Sequence, residues 1–408
     1  MEFKEARLSN GLKILAEVNP AAASMALGFF VRTGSRDETA ALAGVSHFLE
    51  HMMFKGTDRR SPFDISRDFD DMGAMYNAFT SEENTVYYAA VLPEFQGRAL
   101  DLLADMMRPA LRADDFHTEK QVILEEIALK EDVPQHRLQE KLMAQHFGEH
   151  PLGRNVLGTT ESISALTRDD MLAYFQHRYS PSNVTLTGVG NLNWDAFAET
   201  ARQSCSHWQD FQAARDTAEA RPAATTASVA DAKLTRQHLG MMSRAPSACD
   251  EQRYAGHLLA AILGDATGSR LFYALVEPAI ADEAACHFEP FDGSGAFCTF
   301  ICADPSRAAE ALRIARREYA RFQAEGPTED ELAAAKNKTA AAATLRSELP
   351  MGRLLAVGFD WVYRRSYRPL AEQLQRIMAV TAEQVHRLAQ NYDLTAATVL
   401  GLGPNESL

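Results

Sequence analysis

Two periodicities alternate along the chain and mark out its elements. Gly11-Leu-Lys-Ile-Leu-Ala-Glu-Val18 alternates apolar and polar positions and predicts a strand; Ala26–Arg32 predicts a buried strand, and Thr85–Leu92 a third. Apolar residues return at helical spacing in 44–54, 94–108 and 117–131, and Pro327-Thr-Glu-Asp-Glu-Leu opens a long, Ala-rich helix with a capping-type start. The ends of the two halves repeat each other. Leu166-Thr167 leads into an amphipathic helix, Tyr179 and the β-rich Asn183–Gly190, while Val380-Thr381 leads into another, then Tyr392 and Ala397–Gly403. Each is a Thr-capped helix followed by a strand ending in Gly-x-Gly. The copies stand about 214 residues apart, far beyond a solenoid period, and predict two related α+β domains. The segment 211–232 is rich in Ala, Thr, Asp and Arg and has no large apolar cluster. It reads as a linker, so the expected division is 1–210, linker 211–232, and 233–408.

Composition narrows the classes. The chain has 408 residues, 46% hydrophobic and 24% charged, an ordinary globular balance. Its net charge of −14, without a local basic patch, argues against general nucleic-acid binding. The most apolar stretch, Ala21–Val31, is shorter than the roughly 20 residues of a membrane-spanning helix. The first residues lack the basic-then-apolar order of a secretory signal. Five cysteines without a CxxC pair argue against a disulfide framework and a thiolate zinc site, and are expected as small buried hydrophobes in a reducing cytoplasm.

Candidate chemistry centres on His47-Phe48-Leu49-Glu50-His51. On a helix, His47 and His51 are one turn apart and project from one face, where two imidazoles share a metal; Glu50, about 100° round from His51, suits a base beside it. The plainer alternative is a coincidence of two histidines on a core-facing helix, but a carboxylate among Val45, Phe48, Leu49, Met52 and Met53 needs a partner. The third ligand must come from downstream. With Val122 at 0°, Ile123 and Ile127 fall at about 100° and 140°, Glu126 at about 40° and Glu119 at about 60°, so both carboxylates share the apolar arc, whereas Glu125 lies at its edge. Glu126 as ligand and Glu119 as a supporting or substrate-amine contact satisfies them; structural ion pairs are the alternative.

Gly44-Val-Ser-His-Phe-Leu-Glu-His-Met-Met-Phe-Lys-Gly-Thr57 resembles the zinc signature of the M16 metallopeptidases, the inverted zincins, in their short bacterial-type branch. The similarity continues through Asn77–Tyr88, Glu119–Ile127, Pro151–Gly158 and Leu166–Val184, and more loosely through Gly268-Ser-Arg-Leu-Phe272 and Ser347–Arg353. The resemblance implies antiparallel-rich sheets packed with helices, the two domains together making half of a peptidase chamber. It implies one Zn2+ per chain held by His47, His51 and Glu126, Glu50 as catalytic base acting on metal-activated water, and Glu119 as supporting acid. The strand Asn77, Ala78, Phe79 and Thr80 is similar to the edge that pairs with an extended substrate. The implied activity is zinc-dependent endoproteolysis of peptides or unfolded segments, by a homodimer or a heterodimer with a paralogue. One departure stands out. Active members carry an Arg and, seven residues on, a Tyr after the Ser-Arg-Leu-Phe segment; counting from Arg270, those positions hold Val276 and Glu283. A non-catalytic peptide-binding or scaffold subunit that needs a partner chain is therefore the competing expectation.

Overall fold

The computed structural model describes residues Met1–Leu408 and contains two sheets. The first is built from β1 (Glu2–Arg7), β2 (Lys13–Val18), β3 (Met25–Val31), β4 (Met75–Thr80), β5 (Thr85–Val91) and β6 (Val184–Gly190). The second is built from β7 (Thr226–Ala230), β8 (Gln237–Arg244), β9 (Glu283–Pro290), β10 (Gly295–Ala303) and β11 (Thr398–Gly403). Their orders are β1-β2-β6-β3-β5-β4 and β7-β11-β8-β10-β9. Leaving out β1, the two share one topology. A parallel pair (β2 with β6, β7 with β11) is followed by three antiparallel steps to an edge strand, β4 or β9. The repeated ends seen in the sequence take equivalent places. Thr167 accepts from the Asp170 amide and caps Arg168–Arg178 ahead of β6, and Thr381 accepts from the Gln384 amide and caps Ala382–Asn391 ahead of β11. The long helix Glu329–Glu348 opens as its sequence predicts, with Thr328 and Glu331 exchanging side chain-to-amide bonds.

The chain divides into two compact units that are not consecutive in sequence. One comprises 1–128, 154–216 and 345–368; the other comprises 129–153, 217–344 and 369–408. The division expected at 211–232 separates the two sheets, but two helices fall on the other side of it. Pro134–Phe147 belongs to the second sheet, where Leu138, Leu142 and Phe147 pack with Met242, Cys298, Leu400 and Leu402. Pro350–Arg364 belongs to the first, where Leu354, Val357 and Val362 pack with Ala26, Phe30, Val86 and Val189. The cause is that each sheet is apolar on both faces, so each needs a second cover. At Gly358 a Cβ would stand 2.1 Å from the Phe30 ring, so only glycine lets that helix lie this close to β3.

The linker expectation is also corrected. Arg215 is buried in a pair with Asp37 at 2.6 Å, and β7 forms within 211–232. Ion pairing and parallel ladder bonds to β11 order that segment without the apolar cluster whose absence suggested a linker. All five cysteines are free; Cys205, Cys286 and Cys298 are buried as expected, whereas Cys302 is half-buried and Cys249 exposed. No helix is long and apolar enough to cross a membrane.

Candidate metal centre

The site is built on the short helix Val45–Met52, whose Val45, Phe48, Leu49 and Met52 face the first core. Its N-cap is Gly44 at φ 88°, a left-handed conformation with no side chain to offer. The cap comes instead from Glu38, 3% exposed, whose carboxylate accepts from the amides of Gly44 (2.8 Å) and Ser46 (2.7 Å). Burial pushes the Glu38 carboxyl up to about 7, against the pull of the Ser46 and Gly44 bonds and of Arg154. A folded-state value above the ordinary 4.5 means that the native protein holds the proton longer than the unfolded chain does. Stability from this group is therefore complete below about 4.5 and is lost as pH rises through about 7, on the order of 3 kcal/mol in all. We expect urea denaturation in the presence of a chelator to show the wild type losing about that much relative to Glu38→Gln between pH 4.5 and 7.5. A difference that stays flat with pH would contradict this.

Two imidazoles and a carboxylate converge next to that helix. The rings of His47 and His51 lie 4.7 Å apart, and the Nε2 atom of each is 3.7 Å from the same Glu126 oxygen, Oε2. All three donor atoms lie within 4.8 Å of one another. The separations are too long for hydrogen bonds and close to the ~3.3 Å between donors arranged tetrahedrally about 2.0–2.1 Å from one ion. The donor set, two imidazoles with one carboxylate, also suits zinc. On the far side of His51, Nδ1 donates to Glu119 Oε1 at 2.8 Å, which leaves the Nε2 lone pair directed at the shared point. The second oxygen of Glu119 takes Lys55 Nζ at 2.6 Å. Although burial raises the Glu119 carboxyl, the bonds from His51 and Lys55 win and hold it below the usual range. Expected as a supporting acid, Glu119 is bonded to the outer nitrogen of His51 and fixes that ring. Lys55 had no assigned role in the sequence; it lies in the turn just past the Met52 end of the helix, where no helical spacing points to it.

The helix Ala113–Glu131 buries Phe116, Glu119, Ile123 and Ile127, while Glu126 is half-buried and Glu125 exposed. One sequence expectation fails here: Val122, taken as part of the apolar arc, is 43% exposed. The buried stripe runs at i, i+4, i+8 through Glu119 itself, which leaves Val122 on the solvent flank and places Glu126 at the stripe's margin, open to the two histidines.

Glu50 is 9% exposed and accepts from the Thr80 hydroxyl at 2.6 Å. Burial raises its carboxyl above the usual carboxylate range, with Glu126 adding to the effect and Thr80 and His51 opposing it. Thr80 ends β4, which pairs only with β5 and so leaves its outer backbone edge free within the sheet. Ala78 and Thr80 share the face that carries the Val45–Met52 helix. Phe79 points the other way and packs with Tyr88 and Phe359, and the exposed Asn77 turns its Oδ1 onto the Ala78 amide at 2.9 Å. Of the four residues expected to meet substrate, the strand edge and the Ala78–Thr80 face are at the site and the Phe79 ring is not. In the second unit, Arg270 is committed to Glu331 (2.7 and 2.9 Å) and to the Gly326 carbonyl (2.8 Å). Val276 packs against that unit's core, and Glu283 is exposed at the start of β9.

A duplicated α+β fold, with HxxEH on one helix and a third acidic donor on another, defines the inverted-zincin type of protein. Comparison with known proteins agrees: residues 13–160 match the family described as Insulinase (Peptidase family M16), and residues 165–339 match Peptidase M16 inactive domain. The chain belongs to peptidase family M16. An uncharacterized zinc protease of Mycobacterium leprae is 34% identical over 94% of this chain and 87% of its own length. The uncharacterized zinc protease YmxG of Bacillus subtilis is 30% identical over 95% of each. A protease from Helicobacter pylori has the same fold, with a TM-score of 0.92 and 22% identity over 99% of both chains.

Proposed function

We propose that the chain is a zinc-dependent metalloendopeptidase that cleaves peptides or unfolded segments, with one zinc held by His47, His51 and Glu126. The observation that carries this reading is the convergence of those three donors beside the buried, singly hydrogen-bonded carboxylate of Glu50. Zinc bound there supplies Lewis acidity and makes water a nucleophile at neutral pH. Glu50 takes the proton of the attacking water and delivers it to the nitrogen of the departing amine. Glu119, steadied by Lys55, keeps His51 in the ligating tautomer. The free edge of β4 pairs with the backbone of an extended substrate, which selects peptides and unfolded segments over folded proteins. The working form in this reading is a cytoplasmic dimer, of two identical chains or of this chain with a paralogue.

A second reading is favoured by one specific observation. Val276 and Glu283 offer no cationic or phenolic donor where the resemblance places Arg and Tyr. A chain that holds zinc and binds peptide but relies on a partner for those donors accounts for the same geometry. Metal analysis with cleavage of a quenched basic-peptide mixture tests both: about one zinc per chain with cleavage supports the peptidase, and zinc without cleavage supports the dependent subunit. Glu126→Gln should cost more zinc affinity than the ~10–100-fold typical of losing a group behind a ligand, while Glu125→Gln should stay within about twofold of wild type. Equal effects at the two positions would overturn the ligand assignment.

A further inference from the structure

We infer that Thr80 is a positioning residue for the catalytic base, and that through it one strand sets both the Glu50 carboxylate and the backbone of the substrate. This rests on the reading of Glu50 as base. Glu50 reaches the site from a helix on a side chain whose carboxylate turns readily about its last bond. Nothing charged pairs with it, and its hydrogen bond is the one from Thr80 Oγ1 at 2.6 Å. With one oxygen engaged, the plane of the carboxylate is set and the other oxygen is left for the proton it must take and return.

Thr80 is itself firmly placed. Its β-branched side chain is restricted in χ1, and its backbone pairs with Thr85 across the end of the β4–β5 hairpin. The turn beyond is closed by the Ser81 amide on the Asn84 carbonyl at 2.8 Å and by the Asn84 amide on Ser81 Oγ at 3.1 Å. Next to it, Glu83 accepts from Arg36 at 2.6 Å and from the Tyr363 hydroxyl at 2.9 Å, and the Arg36–Glu83 pair is almost fully buried. The network fixes the end of β4 from behind. An extended peptide added to the outer edge of β4 would thus be in register with the strand that aims the base. Positional errors of about 1 Å at a reacting group cost on the order of a hundredfold in rate, so a shared rigid element is a physical advantage.

The test is kinetic and spectroscopic. Thr80→Val keeps the shape and the backbone edge but removes the donor. We expect kcat to fall about 10–100-fold, KM to stay within about twofold and zinc content to be unchanged, with Thr80→Ser recovering most of the loss. Added to Glu50→Gln, Thr80→Val should lower activity no further, because it acts through Glu50. The infrared carboxylate band of Glu50, assigned by its absence in Glu50→Gln, should shift in Thr80→Val and return in Thr80→Ser. That readout does not require activity, and Thr80→Ala replaces Val where Val fails to fold. If Glu50→Gln remains active within tenfold of wild type, the reading of the base fails. If Glu50→Gln is inactive while Thr80→Val keeps kcat within twofold, or its band does not move, the positioning inference alone fails.

Discussion

Glu50→Gln is expected to abolish turnover while leaving the fold and the zinc in place. The substitution is isosteric, and the amide oxygen can still accept from Thr80 at a site where the carboxylate receives its bond at 2.6 Å. It also lifts the burden of a buried charge, since burial pushes the Glu50 carboxyl above its ordinary range. Glu50 is not one of the three converging donors, so metal content should match that of the wild type. What disappears is a group able to accept a proton at neutral pH, and losses of about 10²–10⁴-fold are usual when a positioned acid–base group is removed. The measurement is kcat on the quenched basic-peptide mixture, with zinc determined on the same samples. Activity within tenfold of wild type would remove Glu50 from the mechanism. Zinc loss in this variant would instead make Glu50 part of the metal shell.

Much of the site is legible in the sequence because it is local. His47 and His51 meet through the pitch of one helix, and Glu119 and Glu126 share a flank through seven residues of another, so spacing alone carries the chemistry. The duplication is legible because a threonine cap and a terminal Gly-x-Gly mark the same strand twice. What stays hidden depends on partners distant in sequence. Leu138 and Leu142, or Leu354 and Val357, announce an apolar stripe without saying which sheet it meets, and so the exchanged helices could not be placed. Strand alternation separates Phe79 from Ala78 and Thr80, yet only the bond between Thr80 and Glu50 reveals which side faces the candidate metal centre. Glu38 reaches a helix N-terminus six residues ahead of it through a loop, a cap that no i to i+3 pattern describes.

Arg353→Met should cost about 3–5 kcal/mol of stability, the usual penalty for stripping one partner from a buried ion pair. Arg353 and Glu17 are 2% and 1% exposed. The guanidinium grips the carboxylate in a fork, with Nε at 2.9 Å from both oxygens and a terminal nitrogen at 2.6 Å; the Tyr367 hydroxyl adds a bond at 2.7 Å. Methionine fills similar space but leaves the charge of Glu17 buried with a single hydroxyl for company. The pair joins β2 to Pro350–Arg364, a helix whose place on the first sheet its apolar stripe does not specify. If hydrophobic burial alone holds that helix, the double variant Glu17→Leu/Arg353→Met should recover most of the stability, since no charge is left stranded. If the pair also selects the sheet, the double variant should regain stability yet show several packed states, seen as broadened near-ultraviolet signals and loss of a single cooperative urea transition. A loss below about 1 kcal/mol for Arg353→Met would show that the pair neither anchors nor selects, and would leave Leu354, Val357 and the close approach at Gly358 as the whole cause of the exchange.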